Sequence, residues 1–514
     1  VRATHPPAPS DAARFRASGR WRAPQSVERH LAELAAGGDR TALIDETGTC
    51  THRELAALAD RVRAALIDAG AGPGDPVLVV APLRIGAVAA LLGSRLAGCV
   101  AVLVDRRAGA ADVAAACAAL PPRVILAYDA DAEKLSLATY GPVLSVERLL
   151  VVRNLFEGAD PFAGARPAEG ARALLDPDDP NLVLFTSGTT STPRGVLHTL
   201  NSLRCGTQNM VEALSLRPND TFLLSSPLAS ITGVLQVESA IMAQASVVLA
   251  DRFSPEDALQ AVLRHGVSVI GGAPIISETI FAECDRLGIT ELPLRCIALG
   301  GSMIGPGVLA AARRLRVDYV RVYGSSEVPF STATEFNCSD HDGTPLPDVE
   351  VSLRADELLV RGPHQFHGYL NPADNADAFC DGWVRTGDQA EVDGARVRIT
   401  GRLKDVAVRK GLKISLAEVD AAAAVLGECA AFAVPDDVTG ERVALAVHAP
   451  ASSDLSYAAV VDALLATGLA RWKLPEQIVL WDGELPRTAS GKVIRRELAD
   501  PRRHLRTLLA PRLR

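Results

Sequence analysis

The sequence predicts an α/β protein: a large N-terminal domain of parallel sheets covered by helices, including a small β-rich subdomain, followed by a small α+β domain. Three observations predict this. Short apolar runs alternate with helical patterns in the first half of the chain. Those runs are apolar throughout, as strands buried on both faces are. After about residue 349 the strand candidates become short and interrupted by polar residues. With 514 residues the chain exceeds what one hydrophobic core serves, so more than one domain is expected.

The first twenty-five residues are rich in Pro, Ala and Arg and are expected to be irregular at least in part. Glu54 to Gly70 reads as an amphipathic helix, because Leu55, Leu58, Val62 and Leu66 recur at spacings of three and four. Thr51 with Glu54 forms a capping-box signature at its start, and Gly70 stands where a helix should stop. Val77 to Val80 follows as a strand bounded by Gly74, Asp75 and Pro82. Then come a helix over Ile85 to Leu96, a strand over Val100 to Val104, a helix over Ala110 to Leu120 and a strand over Val124 to Ala127. The alternation resumes from Val247 to Leu299. In the β-rich part, strands are expected at Glu350 to Leu353, Glu357 to Arg361, Ala390 to Val392 and Arg396 to Thr400. A helix near Ala417 to Leu426 and strands near Ala430 to Val434 and Ala444 to Ala449 complete the pattern. The basic end, with Arg502, Arg503, Arg506, Arg512 and Arg514, reads as a frayed helix or tail.

Composition narrows the function. A net charge of −8 argues against a general nucleic-acid binder. The most hydrophobic region, Val77 to Val104, is interrupted by Arg84 and Arg95, so no membrane span is expected. The N-terminal segment offers no apolar run that could serve as a secretory signal. The nine cysteines are scattered, with no C-x-x-C pair and no Cys/His cluster at metal spacing, which fits a reduced, cytoplasmic chain. Val1 and the heavy Ala, Arg and Gly usage suggest a GC-rich bacterial gene. The 53 basic residues include only six lysines, five of them between 404 and 492. A compact ammonium and a planar guanidinium differ in shape, so this cluster reflects either function or a difference in surface composition.

The strongest local signal is the apolar strand Leu182 to Phe185 running into a loop, Thr186 to Gly195. Glycines let backbone N–H groups turn toward an anion, the hydroxyls donate, and Arg194 adds charge, so the loop suits a polyphosphate. It lacks the Walker spacing, and a Ser/Thr/Gly-rich surface linker is the alternative on composition. The chain has no G-x-S-x-G of a serine hydrolase, no H-E-x-x-H of a zinc hydrolase, and no G-x-G-x-x-G after its first strand.

Residues 185–195 resemble the phosphate loop of the acyl-adenylate-forming superfamily: acyl-CoA synthetases, aryl-acid ligases, adenylation domains of peptide synthetases and luciferases. Four further segments resemble that family's motifs in its order. They are Tyr323-Gly-Ser-Ser-Glu327, Gly382-Trp-Val-Arg-Thr-Gly-Asp388, Gly401-Arg-Leu-Lys-Asp405 with Gly411, and Leu485-Pro-Arg-Thr-Ala-Ser-Gly-Lys492. The resemblance covers nearly the whole chain and implies a domain over residues 1–403 that binds AMP and the acid, with a mobile domain over 404–514.

It also implies roles. Thr186, Ser187, Gly188, Thr189, Thr190 and Arg194 would face the phosphates, and Gly300, Gly301 and Ser302 would lie along the adenine. Tyr323 would stack on that base, a contact of roughly 1–3 kcal/mol, unless it is a core tyrosine. Gly324 and Ser325 belong to the same turn, Ser326 would touch the α-phosphate and Glu327 would hold Mg²⁺. Asp388 would accept both ribose hydroxyls, with Arg402 on the nucleotide's other side. Lys492 would be the catalytic ammonium, neutralising an attacking carboxylate and a five-coordinate phosphorus. Lys404 falls at the family's hinge; Arg409, Lys410 and Gly411 would face a thiol, or form a solvated basic face.

Two departures stand out. Ser191 and Arg194 replace the usual glycine and lysine of the phosphate loop, and Ser230 stands where a ring commonly gates the acid pocket. With Ser230, the pocket would be lined by Gly233, Gly272 and Val328, and no acid is evident there to anchor an amino group. The resemblance thus implies ATP, Mg²⁺, a small-molecule carboxylic acid, and coenzyme A or a carrier protein as thiol acceptor. Capture of the adenylate by an amine, adenylation of an unusual oxyanion, or an inactive scaffold of the same fold are the alternatives. The retained Glu327, Asp388, Arg402 and Lys492 argue against the last.

Overall fold

A computed structural model of the chain describes residues 1–150, 174–186, 194–301, 304–403, 405–409, 412–436, 438–450, 453–488 and 491–511. Its α/β architecture is built on two large sheets, with two smaller ones toward the C-terminal end. The first has six strands in the order 194–199, 180–186, 100–104, 76–80, 124–127, 143–145. All of its neighbours are parallel except the first pair. Val77 lies opposite both Ala101 and Val124, and Val77 to Val80 are all buried. Cover on both faces is why these strands show no polar alternation.

The expected first helix is His52–Asp68. Its capping box is formed in both directions: Glu54 N–H donates to Thr51 Oγ1 at 3.2 Å and Thr51 N–H donates to Glu54 Oε2 at 2.8 Å. Leu55, Val62 and Leu66 are buried as their spacing predicts, against the helix Ile85–Leu96. A Cβ on Gly93 would stand 2.5 Å from Val62, so that glycine permits the close crossing.

The second large sheet has nine strands in the order 344–345, 332–333, 318–323, 296–299, 269–272, 221–224, 246–249, 41–45, 48–51. Its interior is parallel. The strands 269–272, 296–299 and 318–323 are neighbours, so their C-terminal ends bring Gly272, Gly300 and Tyr323 to one edge. The β-rich part is a five-stranded antiparallel sheet; the short polar runs expected there are portions of longer strands, Trp383–Asp393 and Arg396–Arg402.

The last sheet draws its six strands from residues 406–509. Here the expectation of a frayed basic end is corrected. His504–Leu509 is a strand, antiparallel to Gln477–Trp481, with Leu508 packed against the core. It is an edge strand whose three leucines do not alternate with polar residues, and the arginines that flank it, Arg502 and Arg503 before it, hide the signal. The N-terminal segment is likewise more ordered than its composition predicts. Pro9–Ala17 is a helix that buries Phe15, and Trp21 Nε1 donates to Pro363 O at 2.9 Å. No helix among the described residues is long and apolar enough to cross a membrane.

Candidate active site

The site grows from the edge where the parallel strands end. Tyr323 closes the strand Asp318–Tyr323, and residues 324–330 turn back so that Ser331 N–H donates to Tyr323 O at 2.8 Å. Ser325 Oγ accepts from the N–H groups of Glu327 (3.2 Å) and Val328 (3.3 Å), which fixes the turn from inside. His198, fully buried below it, meets Ser326 O through Nε2 at 2.7 Å. A carbonyl only accepts, so Nε2 carries the proton. Burial pushes this imidazole down to about 4.

Glu327 is thereby held with its carboxylate beside Tyr369, whose hydroxyl donates to Oε1 at 2.8 Å. Among the described residues no donor reaches Oε2. A carboxylate oxygen left open in this way is a ligand that suits a hard divalent cation. The guanidinium of Arg194 lies 5.3 Å above the Tyr369 ring and pairs with Asp374 at 3.7 Å.

Asp388 faces this turn from the strand Trp383–Asp393. Its register partner on the next strand is Arg402, whose Nε donates to Oδ1 at 2.8 Å. Oδ2 accepts from the Tyr323 hydroxyl at 2.7 Å. Burial and the neighbouring carboxylate push that phenol well above its ordinary value. Tyr323 is thus both a core residue and a ligand of Asp388. Each carboxylate oxygen keeps a lone pair for a further donor.

Lys492 reaches the same cleft from the C-terminal sheet. Thr488 N–H donates to Lys492 O at 2.7 Å and Lys492 N–H to Thr488 Oγ1 at 3.1 Å, closing a tight loop. A Cβ on Gly491 would stand 3.4 Å from Ile275 and 3.5 Å from Ala273, so the loop lies against the start of the helix Pro274–Leu287. Lys492 keeps exposed surface, yet the walls of the cleft displace enough water that burial is the leading cause lowering its ammonium. Arg402 acts in the same direction; Asp388, Glu327 and Asp405 oppose it. Two cations, Lys492 and Arg402, thus lie within electrostatic reach of three carboxylates drawn from distant parts of the chain.

The structure places the other expected residues as follows. Thr186 and Arg194 are register partners in an antiparallel pair, so the ends of the phosphate-loop segment are adjacent, while Ser187, Gly188, Thr189, Thr190 and Ser191 lie outside the described residues. Gly300 has Val322 O 2.6 Å from where a Cβ would be, and Gly301 has φ +80°; Ser302 lies outside the described residues, as do Lys404, Lys410 and Gly411. Gly324 is a close approach to the backbone of Phe330. Ser230 caps the helix Ile231–Ala243, its Oγ accepting from Gly233 N–H at 3.1 Å and donating to Pro227 O at 2.7 Å. Gly233 packs on the Pro227 carbonyl, Gly272 (φ +128°) sits beside Ser226, and Val328 is fully buried in the core.

Tyr369 and His198 are site residues the sequence reading missed. Its statement on Cys/His clusters also needs correction. Cys338 and His341 meet, with Glu335 and Asp340 alongside. Gly343 N–H donates to His341 Nδ1 at 3.0 Å, which puts the ring proton on Nε2, facing Cys338 Sγ at 3.3 Å. That is a closed hydrogen-bond chain rather than a ligand set.

Comparison with known proteins places this geometry. The family profile described as AMP-binding enzyme matches residues 31–370, and that of the AMP-binding enzyme C-terminal domain matches residues 421–492. A salicylyl-CoA synthase / salicylate adenylyltransferase from a Streptomyces species is 30% identical over 96% of this chain and 97% of its own length. A salicyl-AMP ligase / salicyl-S-ArCP synthetase from Mycobacterium tuberculosis is 29% identical over 96% of this chain and 93% of its own. The structure of o-succinylbenzoate CoA synthetase from Bacillus subtilis, in complex with its acyl-adenylate intermediate, superposes with a TM-score of 0.78. It is 24% identical and covers 94% of this chain and 99% of its own.

Proposed function

The chain belongs to the AMP-binding enzyme family, and from that premise we propose that it activates a carboxylic acid with ATP and passes the acyl group to a thiol, coenzyme A foremost. The observation that carries this reading is the convergence of Lys492 with Arg402, Asp388 and Glu327 in one cleft. Two anions must meet for the reaction to start, and a compact ammonium between them lowers their repulsion.

Asp388 would accept the ribose hydroxyls, Gly300 and Gly301 would line the base, and Arg194 would meet the phosphates. Magnesium, held by the free oxygen of Glu327, would screen the charge of the leaving pyrophosphate. A carboxylate oxygen then attacks the α-phosphorus, the bond to the bridging oxygen breaks, and pyrophosphate leaves with that electron pair. In the second step the thiol sulfur attacks the acyl carbonyl, AMP leaves with the acyl–oxygen electron pair, and the thiol proton passes to solvent. We place the domain division between residues 403 and 404, with Lys404 as hinge and Lys410 and Gly411 facing the thiol. The acid would lie by Ser230, Gly233, Gly272 and Val328. The nine cysteines stand as free thiols, which supports a reducing compartment such as the cytoplasm.

AMP release measured over a panel of aryl, cyclic and fatty acids, with and without coenzyme A, tests the reading. Coenzyme A should accelerate turnover of the acids that are consumed. Adenylate formation without such acceleration would instead favour a carrier-protein thiol, the acceptor in the name of the mycobacterial relative. No ATP-dependent release with any acid would defeat both.

A further inference from the structure

We propose that Tyr369 is a positioning residue for Glu327, and that the first residues of the chain hold it in place. The inference rests on the reading above. Tyr369 touches no reacting atom; it acts through the carboxylate that it orients.

Three observations carry it. The Tyr369 hydroxyl donates to Glu327 Oε1 at 2.8 Å, which fixes one oxygen and leaves the other open to a further ligand. A carboxylate pinned at one oxygen loses its freedom to rotate before a cation arrives, so less entropy is lost on binding. The ring is itself fixed, edge-on to Phe366 at 4.9 Å and beneath the Arg194 guanidinium at 5.3 Å.

The backbone of Tyr369 is clamped as well. Its N–H donates to Asn375 Oδ1 at 2.8 Å, and its carbonyl accepts from Thr4 Oγ1 at 2.7 Å. Asn375 Nδ2 donates in turn to Thr4 Oγ1 at 3.1 Å, and His5 N–H donates to His367 O at 2.9 Å. Thr4 thus reaches across 365 positions to brace a tyrosine whose hydroxyl braces a carboxylate. The phenol oxygen serves Glu327 and Arg194, not the packing of the ring; Phe would fill the same ring space.

The test is the magnesium dependence of ATP binding, read by calorimetry on the full chain. Tyr369→Phe should raise the magnesium concentration that half-maximally tightens ATP binding by about tenfold, the order seen when a group holding a metal ligand is removed. Binding of ATP without magnesium should not change. Thr4→Val, which spares the core entirely, should shift the same midpoint in the same direction by a smaller factor. It decides the matter if the tyrosine variant melts early. Wild-type midpoints in both variants would overturn the proposal while leaving the proposed function standing. A wild-type protein that binds no ATP, with or without magnesium, would sink the functional reading first.

Discussion

The wall around Asp388 and Glu327 and the lysine loop are built differently. The wall is closed by bonds between residues far apart in the chain: Tyr323 with Asp388 across 65 positions, Glu327 with Tyr369 across 42, His198 with Ser326 across 128. The loop is closed by its own neighbours. Thr488 and Lys492 bond each other, Arg487 Nη1 donates to Gly491 O, and Arg487 Nη2 reaches Glu428 on the same C-terminal unit. Against the large domain, a Cβ on Gly491 would come to ordinary van der Waals distance of Ala273 and Ile275, and the charges of Arg487 and Lys492 act on groups there without a hydrogen bond to them among the described residues. The wall therefore exists before any ligand arrives, whereas the loop is held together by its own neighbours, as the proposed function requires of a piece that would leave and return. Pre-organised dipoles and one movable cation are what two successive reactions in a single cleft require.

The largest effect should come from the movable side. Lys492→Ala should lower pyrophosphate release about a thousandfold, because among the described residues no other ammonium reaches the site. Thioester formation from supplied acyl-adenylate should stay near wild type, since the loop is not needed there. Equal losses in both steps would erase the distinction between wall and loop. Next in size is Asp388→Asn, which breaks the wall. It replaces one of the two acceptor oxygens that Arg402 and Tyr323 use with an amide N–H that only donates, and leaves the guanidinium without its counter-charge. ATP binding should weaken by about ten- to a hundredfold, with a fall in melting temperature that Lys492→Ala does not show.

The pH response should separate the two regions again. His198 is held down to about 4, and His364 and His367 to about 3, by burial. Each is neutral when folded, while the unfolded chain takes up a proton near pH 6.5. The unfolded state therefore binds more protons at acid pH. Stability is complete above pH 6.5 and falls as pH drops toward 4, by up to about 1.4 kcal/mol per pH unit for each histidine. Melting curves from pH 7.5 to 5 should show that slope, and His367→Phe should flatten it. The loop answers at the other end. With the Lys492 ammonium lowered, the adenylation rate should decline on the alkaline side before an ordinary lysine would titrate, and Arg402→Gln should move that limb upward.

Much of this was legible in the sequence where local rules and the tertiary structure agree. The capping box at Thr51 and Glu54, the buried run at Val77 to Val80 and the helix at Ile85 to Leu96 needed only period and punctuation. The site's polar residues were legible because they cluster in short motifs. Tyr369 was not, since its role depends on a partner 42 positions away and nothing in its neighbours marks it. The strand His504–Leu509 was hidden because its leucines do not alternate along an edge and arginines crowd the residues on either side of it. The capping role of the Ser230 hydroxyl, at the start of the helix Ile231–Ala243, was not read from the sequence, because the same residue is also expected beside the acid.

The smallest effect expected lies where wall and phosphate loop meet. Arg194 begins the strand Arg194–Thr199, opposite Thr186, with its guanidinium over Tyr369 and its Nε near Asp374. A lysine there keeps the charge and loses the planar stack, which contributes about 0.5–1 kcal/mol at a partly exposed site. Arg194→Lys should therefore raise the KM for ATP only about two- to fivefold, and Arg194→Met considerably more. If the lysine variant matches wild type, charge alone matters at this position. If it is as poor as the methionine variant, the stack on Tyr369 places the guanidinium, and the wall extends one residue further toward the phosphates than its hydrogen bonds define.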